Sequence, residues 1–87
     1  KKKVLIIGNN VPALALAKEL SKQHDIYIAP SCDIVEGFAT GVDIREDNTK
    51  ELLEFVLEND IDMTIPISNI SLKKEYEAVP SVNIYIL

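Results

Sequence analysis

The loop Gly8-Asn9-Asn10 is the first part of this sequence whose residue types suit a ligand. It separates the apolar run Val4–Ile7 from a helical pattern that begins at Pro12. The unpaired N–H groups and the positive dipole end of a helix N-terminus attract phosphate or carboxylate groups. We therefore predict substrate contacts at Gly8, Asn9 and Asn10, with a tight turn at Gly8 and helix capping by the asparagines as the alternative.

The same loop does not carry the glycine fingerprint of a dinucleotide site. Of the pattern Gly-x-Gly-x-x-Gly only Gly8 is present, and Asn10 and Ala13 occupy the later glycine positions. The second apolar run, Ile26–Ala29, also lacks the acidic residue that would hold a ribose. A dehydrogenase-type cofactor domain is disfavoured on both counts.

Three further polar residues follow predicted strands and are candidate substrate contacts. Ser31 comes after the second strand, and Ser68 and Asn69 come after the fourth. Loops at the carboxyl ends of parallel strands carry ligand sites, so these side chains are predicted to hydrogen-bond a substrate, with an ordinary turn as the alternative.

Catalytic and metal-binding groups are not indicated by the remaining polar residues. Cys32 is the sole cysteine and His24 the sole histidine, which excludes an intrachain disulfide and gives no metal-ligand spacing. Asp43, Glu46 and Asp47 are weighed as acid/base or metal groups, and their order is more typical of the charged entrance to a helix. We predict no catalytic residue and no metal site in this chain.

Composition excludes several classes of partner. The chain has 87 residues, which suffice for a single domain with one core. Its net charge of −5 argues against a surface that neutralises nucleic-acid phosphates. Lys1–Lys3 precede an apolar run far shorter than the roughly 20 residues of a membrane span. We expect a cytoplasmic protein that binds neither nucleic acid nor membrane.

Apolar runs alternate with helical patterns along the chain, which predicts βαβ units and a mostly parallel sheet. The expected fold is a single Rossmann-like α/β domain of three layers over residues 1–87, and its end within a strand indicates a fragment. A strand edge left unpaired there invites a homodimer.

The Cys32–Thr40 stretch is predicted to be a loop that Phe38 fixes to the core. The predicted strands are Val4–Ile7, Ile26–Ala29, Val42–Ile44, Ile61–Ile67 and Val82–Leu87, and the predicted helices are Pro12–Gln23, a helix capped by Asn48 and Glu51 that ends at Glu58 and Asn59, and Leu72–Ala78.

Several of these runs together resemble the opening domain of phosphoribosylamine glycine ligase, also called glycinamide ribonucleotide synthetase. This family of ATP-grasp ligases joins phosphoribosylamine to glycine with hydrolysis of ATP. The matching segments are Lys3–Gly8, Ala15–Ala17, Leu20, Ile26–Pro30, Val42–Ile44, Leu52–Leu53, Phe55–Val56 and Ile61–Ile65.

The resemblance implies a domain of the pre-ATP-grasp type that forms one wall of the substrate cleft. Its implied partners are a phosphoribosylamine-like sugar phosphate and the downstream ATP-grasp domains. Those domains would hold ATP and magnesium, so this piece would bind no cofactor alone and would be inactive alone.

The loops depart from the family pattern. Where the family has Gly-Ser-Gly-Gly-Arg-Glu-His-Ala, residues 8–15 keep only the first Gly and the last Ala, and in residues 67–72 only Leu72 is retained. The altered loops leave a second hypothesis open, a non-catalytic nucleotide-sensing or protein-interaction module on the same fold.

Overall fold

The computed structural model describes residues 1–32 and 37–67, which form four strands and two helices. The predicted helix Leu72–Ala78, the predicted strand Val82–Leu87 and the site residues Ser68 and Asn69 lie outside the described residues. The elements are β1 (Lys3–Ile7), α1 (Val11–Leu20), β2 (Asp25–Ala29), β3 (Thr40–Gly41), α2 (Thr49–Glu58) and β4 (Met63–Pro66).

The sheet has the strand order β3-β2-β1-β4, and every pairing in it is parallel. Strand β1 lies in the interior, as its continuous apolar run predicts, and Val4–Ile7 are each at most 1% exposed. A strand covered on both faces needs apolar residues at successive positions, because its side chains alternate between the two faces.

The two helices cover opposite faces of the sheet. Leu5 and Ile7 belong to one buried cluster with residues of α2, while Val4 and Ile6 belong to another with residues of α1. The α1 side chains buried against the sheet are both alanines, Ala13 and Ala17. The result is a small α/β fold with a four-strand all-parallel sheet, compatible with a Rossmann-like fold.

Strand β3 lies earlier in the chain than the sequence pattern predicts. It spans Thr40–Gly41, so the prediction of a strand at Val42–Ile44 was wrong in its bounds, and the loop predicted through Thr40 ends earlier. Pairing with β2 begins at Thr40, opposite Tyr27. Val42 still donates its N–H to the Ile28 carbonyl (2.8 Å) and is buried, which explains its apolar signal.

Other boundaries differ by a few residues. Strand β4 is shorter than the predicted Ile61–Ile67, and helix α1 ends at Leu20 instead of Gln23. The N–H groups of Gln23 and His24 both donate to the Leu20 carbonyl, which closes the helix with a turn. Phe38 is half-buried against the α1-side cluster, which confirms its predicted contact with the core.

The start of α2 confirms the predicted cap with one change in its bonding. The Glu51 N–H donates to Asn48 Oδ1 (3.3 Å), as a capping residue requires. The Glu51 carboxylate accepts from Asn48 Nδ2 (2.9 Å) and not from the Asn48 backbone, whose N–H donates to the Arg45 carbonyl. The reciprocal contact is therefore made between the two side chains.

Thr64 is a polar residue inside this apolar interior. It stands opposite Leu5 in the β1–β4 pairing, which places it on the α2 face, and it is 1% exposed. Its Oγ1 atom has no hydrogen-bond partner in the part of the chain that the structure describes. A buried hydroxyl without a partner costs about 1–3 kcal/mol of stability.

We predict that Thr64→Val raises the free energy of unfolding by about 1 kcal/mol, because it removes this unpartnered hydroxyl and keeps the branched shape. Urea denaturation of the variant measures the change, with Thr40→Val on the exposed edge strand as the matched control, expected within about 0.5 kcal/mol of the parent. A loss of about 1 kcal/mol or more in Thr64→Val alone would show that the hydroxyl has a stabilising partner.

Candidate ligand site at the carboxyl edge of the sheet

The strand order changes direction at β1. From β1 the chain moves through β2 to β3 on one side, and α2 then returns it to β4 on the other side. At such a switch point the loops after the two central strands diverge and leave a crevice at the carboxyl ends. The strand order therefore predicts a ligand position between the carboxyl ends of β1 and β4, where Gly8 and Ile67 follow.

The turn after β1 is made possible by Gly8, whose φ is 128°. Residues with a side chain rarely adopt this conformation. The Gly8 N–H continues the ladder by donating to the Ala29 carbonyl (2.7 Å), and α1 then begins at Val11. The turn therefore occupies the three residues Gly8–Asn10 between strand and helix.

Three consecutive backbone N–H groups lie at this turn, at the start of α1. Those of Asn9, Asn10 and Val11 have no hydrogen-bond partner within residues 1–32 and 37–67. The side chains of all three residues are exposed. An anion at the carboxyl end of β1 could accept from these groups at the positive end of the α1 dipole.

The side chain of Asn10 has a structural role of its own. Its Oδ1 atom accepts from the Ala13 N–H (3.0 Å), which makes Asn10 the N-cap of α1. The capping alternative is therefore what the structure shows for this side chain. Because the side chain is used in this way, the ligand contact predicted for Asn10 would involve its backbone N–H and stays a prediction. Pro12 has no N–H group and can donate no bond to a ligand.

Ser31 lies on the other side of β2 from the Gly8 turn. Its N–H donates to the Val42 carbonyl (3.0 Å), and its side chain approaches Gly41 so closely that a Cβ atom there would collide with it. The structure thus brings Gly8, Asn9 and Asn10 together after β1 and places Ser31 between the ends of β2 and β3. Ser31 is exposed, and its predicted substrate contact stays a prediction.

Glu46 and Asp47, two of the three carboxylates whose order is typical of a helix entrance, lie at this edge as well. Pro30, Arg45, Glu46 and Asp47 line a depression of about 240 Å³ beside the ends of β2 and β3. Arg45 Nη2 is 2.9 Å from Asp47 Oδ2. The charged residues that follow the buried Val42 could have indicated a polar surface here. Their closeness to Pro30 could not be predicted, because the two segments are far apart in the sequence.

A larger cleft, of about 390 Å³, lies at the amino edge of the sheet and has Ile26, Phe38 and Thr40 among its lining residues. Two of the polar side chains there have partners: His24 Nδ1 accepts from the Lys2 N–H, and Asp25 pairs with Lys1. The amino-edge cleft has the greater volume of the two, but ligands of open parallel sheets bind at the carboxyl ends of the strands. The carboxyl edge is therefore the candidate ligand site.

The described residues include acidic side chains, His24 and Cys32, which are the residue types that bind metals or act as nucleophiles. Within them, no group of three or more His, Cys, Asp or Glu side chains could hold a metal ion. Cys32 is partly buried and packs against the α1-side cluster, as a small apolar residue does.

The helices of the described segments are α1 and α2, and neither has the length and apolar character that crossing a membrane requires.

No protein-family model and no curated protein significantly matches the sequence.

We predict that Asn10→Ala lowers the free energy of unfolding by about 1 kcal/mol, because it removes the acceptor that caps the Ala13 N–H. Chemical denaturation measures this loss. Asn9→Ala is the matched control, since the Asn9 side chain is exposed and has no bond in the described residues, and it should change stability by less than about 0.5 kcal/mol. Equal losses in both variants would contradict the capping assignment.

Proposed function

We propose that this chain is the substrate-cleft domain of an ATP-dependent ligase similar to phosphoribosylamine glycine ligase, and that it binds the phosphate of a sugar phosphate at the Gly8–Val11 turn. The observation that carries the proposal is the set of three N–H groups, of Asn9, Asn10 and Val11, that have no partner in residues 1–32 and 37–67 and lie at the strand-order switch where α1 begins. The resemblance of the strand and helix runs to the ligase family supplies the identity of the substrate.

The local charge favours an anion even though the chain as a whole is acidic. The first turn of α1 contains no acidic residue, and the nearest carboxylate along the helix is that of Glu19 near its other end. A helix carries roughly half a positive charge at its N-terminus, and this attraction is strongest within the first turn. A phosphate at the turn would therefore meet N–H groups without a neighbouring carboxylate in the helix.

The finer features of the proposal follow from the same resemblance. The domain is of the Rossmann-like, pre-ATP-grasp type and acts in the cytoplasm. Its own residues bind and orient the sugar phosphate, while downstream domains hold ATP and magnesium, which supply the phosphoryl-transfer chemistry. The piece alone therefore binds substrate and does not ligate.

A second function is favoured by the way the turn is built. The Asn10 side chain is used as a cap, and Pro12 removes one N–H group from the first turn of α1. Both features suit a turn that serves the fold alone, as in a non-catalytic nucleotide-sensing or protein-interaction module. Binding of a sugar phosphate separates the two functions.

We predict that millimolar ribose 5-phosphate, a stable analogue of phosphoribosylamine, shifts the amide resonances of Asn9, Asn10 and Val11 in nitrogen–proton correlation spectra. Inorganic phosphate should shift the same resonances, because the phosphate is the recognised group. Free ribose at the same concentration should not. Absence of a shift with both phosphates would favour the non-catalytic module.

Gly8→Ala should abolish these shifts, because a Cβ at φ 128° forces the turn to rearrange. Gly37→Ala is the matched control, since Gly37 also has a positive φ (98°) and has open space around its Cβ position. Both variants carry a similar backbone penalty of about 1–3 kcal/mol. Loss of binding in both would point to general destabilisation instead of a site at Gly8.

A further inference from the structure

The ladder between β2 and β3 stops before it reaches the amino end of β2. Strand β2 begins at Asp25, but its pairing with β3 begins at Tyr27, opposite Thr40. A turn at residues 37–38, in which Gly37 has a φ of 98°, stands where a longer ladder would need extended chain. The amino-edge cleft of about 390 Å³ lies at this gap in the sheet, between the start of β2 and the turn before β3.

The backbone N–H of Ile26 points towards this gap. Successive residues of a parallel strand direct their N–H and C=O groups to opposite neighbours. The Asp25 N–H donates to the Lys2 carbonyl, on the β1 side (2.9 Å). The Ile28 carbonyl accepts from the Val42 N–H, on the β3 side (2.8 Å). The Ile26 N–H therefore faces the β3 side, and no group in residues 1–32 and 37–67 accepts from it.

A buried N–H group without an acceptor is rare in folded proteins, because its desolvation is not compensated. Ile26 is 4% exposed, and its side chain packs in the α1-side cluster, so its backbone edge is the part that can line the cleft. The volume of the cleft falls within the range of roughly 300–1,000 Å³ that is typical of small-molecule sites. A buried donor in a cleft of this size is suited to a ligand that carries a hydrogen-bond acceptor.

The charged groups around the cleft favour an uncharged acceptor. Lys1 Nζ and Asp25 Oδ1 are 3.3 Å apart, so the two charges offset each other. His24 Nδ1 accepts from the Lys2 N–H (3.3 Å), which leaves Nε2 as the nitrogen that carries the proton of a neutral ring. An anion would lose its hydration at a site without net positive charge, which is unfavourable. The carbonyl oxygen of an amide meets the Ile26 N–H without this penalty.

The other lining residues fit a ring that bears a carboxamide. Phe38 is half-buried and lines the cleft, and aromatic rings pack against each other in stacked or edge-to-face contacts. Ser21 and Thr40 also line the cleft, and hydroxyl oxygens accept hydrogen bonds from an amide NH₂ group.

We propose that the amino-edge cleft binds an uncharged aromatic carboxamide, whose carbonyl oxygen accepts from the Ile26 N–H and whose ring packs against Phe38. The inference goes beyond the proposed function, because it needs neither a sugar nor a phosphate and uses no residue of the Gly8–Val11 turn. It also distinguishes this part of the amino edge from the part at β1 and β4, where Lys3 and Asp62 bond each other.

The first test is a titration of the chain with benzamide, followed by nitrogen–proton correlation spectra. We expect millimolar benzamide to shift the Ile26 amide resonance and to leave Asn9–Val11 unshifted. Benzoate has the same ring but a negative charge, and it should bind at least about fivefold more weakly. Benzoate binding as tight as that of benzamide, or no shift of Ile26 with benzamide, would overturn the proposal.

Hydrogen exchange tests the donor itself. In the free chain the Ile26 amide should exchange at least about tenfold faster than the amides of Tyr27 and Ile28, which lie in the ladders to β1 and β3. Benzamide should slow the exchange of Ile26. Protection of Ile26 equal to that of its two neighbours in the free chain would show that the N–H already has an acceptor, and the proposal would then be wrong.

Phe38→Leu tests the ring contact, since it keeps an apolar side chain and removes the aromatic ring. We expect it to weaken benzamide binding about threefold or more. Phe55→Leu is the matched control, because Phe55 is half-buried on the α2 side and does not line the cleft, and it should change the dissociation constant by less than about twofold. Equal weakening in both variants would contradict a contact at Phe38.

Discussion

The parallel pairing of β1 with β2 on one side and with β4 on the other decides where every loop of the described chain emerges. Residues Val4–Ile7 of β1 are buried on both faces of the sheet. Strand β1 therefore cannot shift its register without exposing apolar side chains or breaking its hydrogen bonds to both β2 and β4. Because all four strands run the same way, their carboxyl ends meet at one edge. The turn at Gly8 and the cleft at Pro30 both depend on this arrangement.

The two edges of the sheet differ in how their polar groups are satisfied. At the amino edge, the Lys3 N–H donates to Asp62 Oδ2 (2.9 Å), the Asp62 N–H donates to the Lys3 carbonyl (2.9 Å), and Lys3 Nζ donates to the Asn59 carbonyl (3.1 Å). These bonds tie β1, β4 and the end of α2 together. At the carboxyl edge, the N–H groups of Asn9–Val11 are left without partners in the described residues. Around β1 and β4, this asymmetry makes the amino edge structural and the carboxyl edge suited to a ligand.

Features that depend on short stretches of chain were predictable from the sequence. The strand at Val4–Ile7 and the Asn48–Glu51 cap each depend only on residues that are close neighbours in the sequence. The bounds of β3 were not predictable, because Thr40 and Gly41 join the sheet only through pairing with Tyr27 and Ile28. The cleft at Pro30 and Asp47 was missed for the same reason, since sheet order alone brings residues so far apart in sequence to one place.

A crystal structure of the chain grown with ribose 5-phosphate tests most directly whether a ligand binds at the carboxyl edge of the sheet. We expect the phosphate within hydrogen-bond distance of the N–H groups of Asn9–Val11. Sugar phosphate bound instead in the amino-edge cleft, against His24 and Phe38, would contradict this expectation.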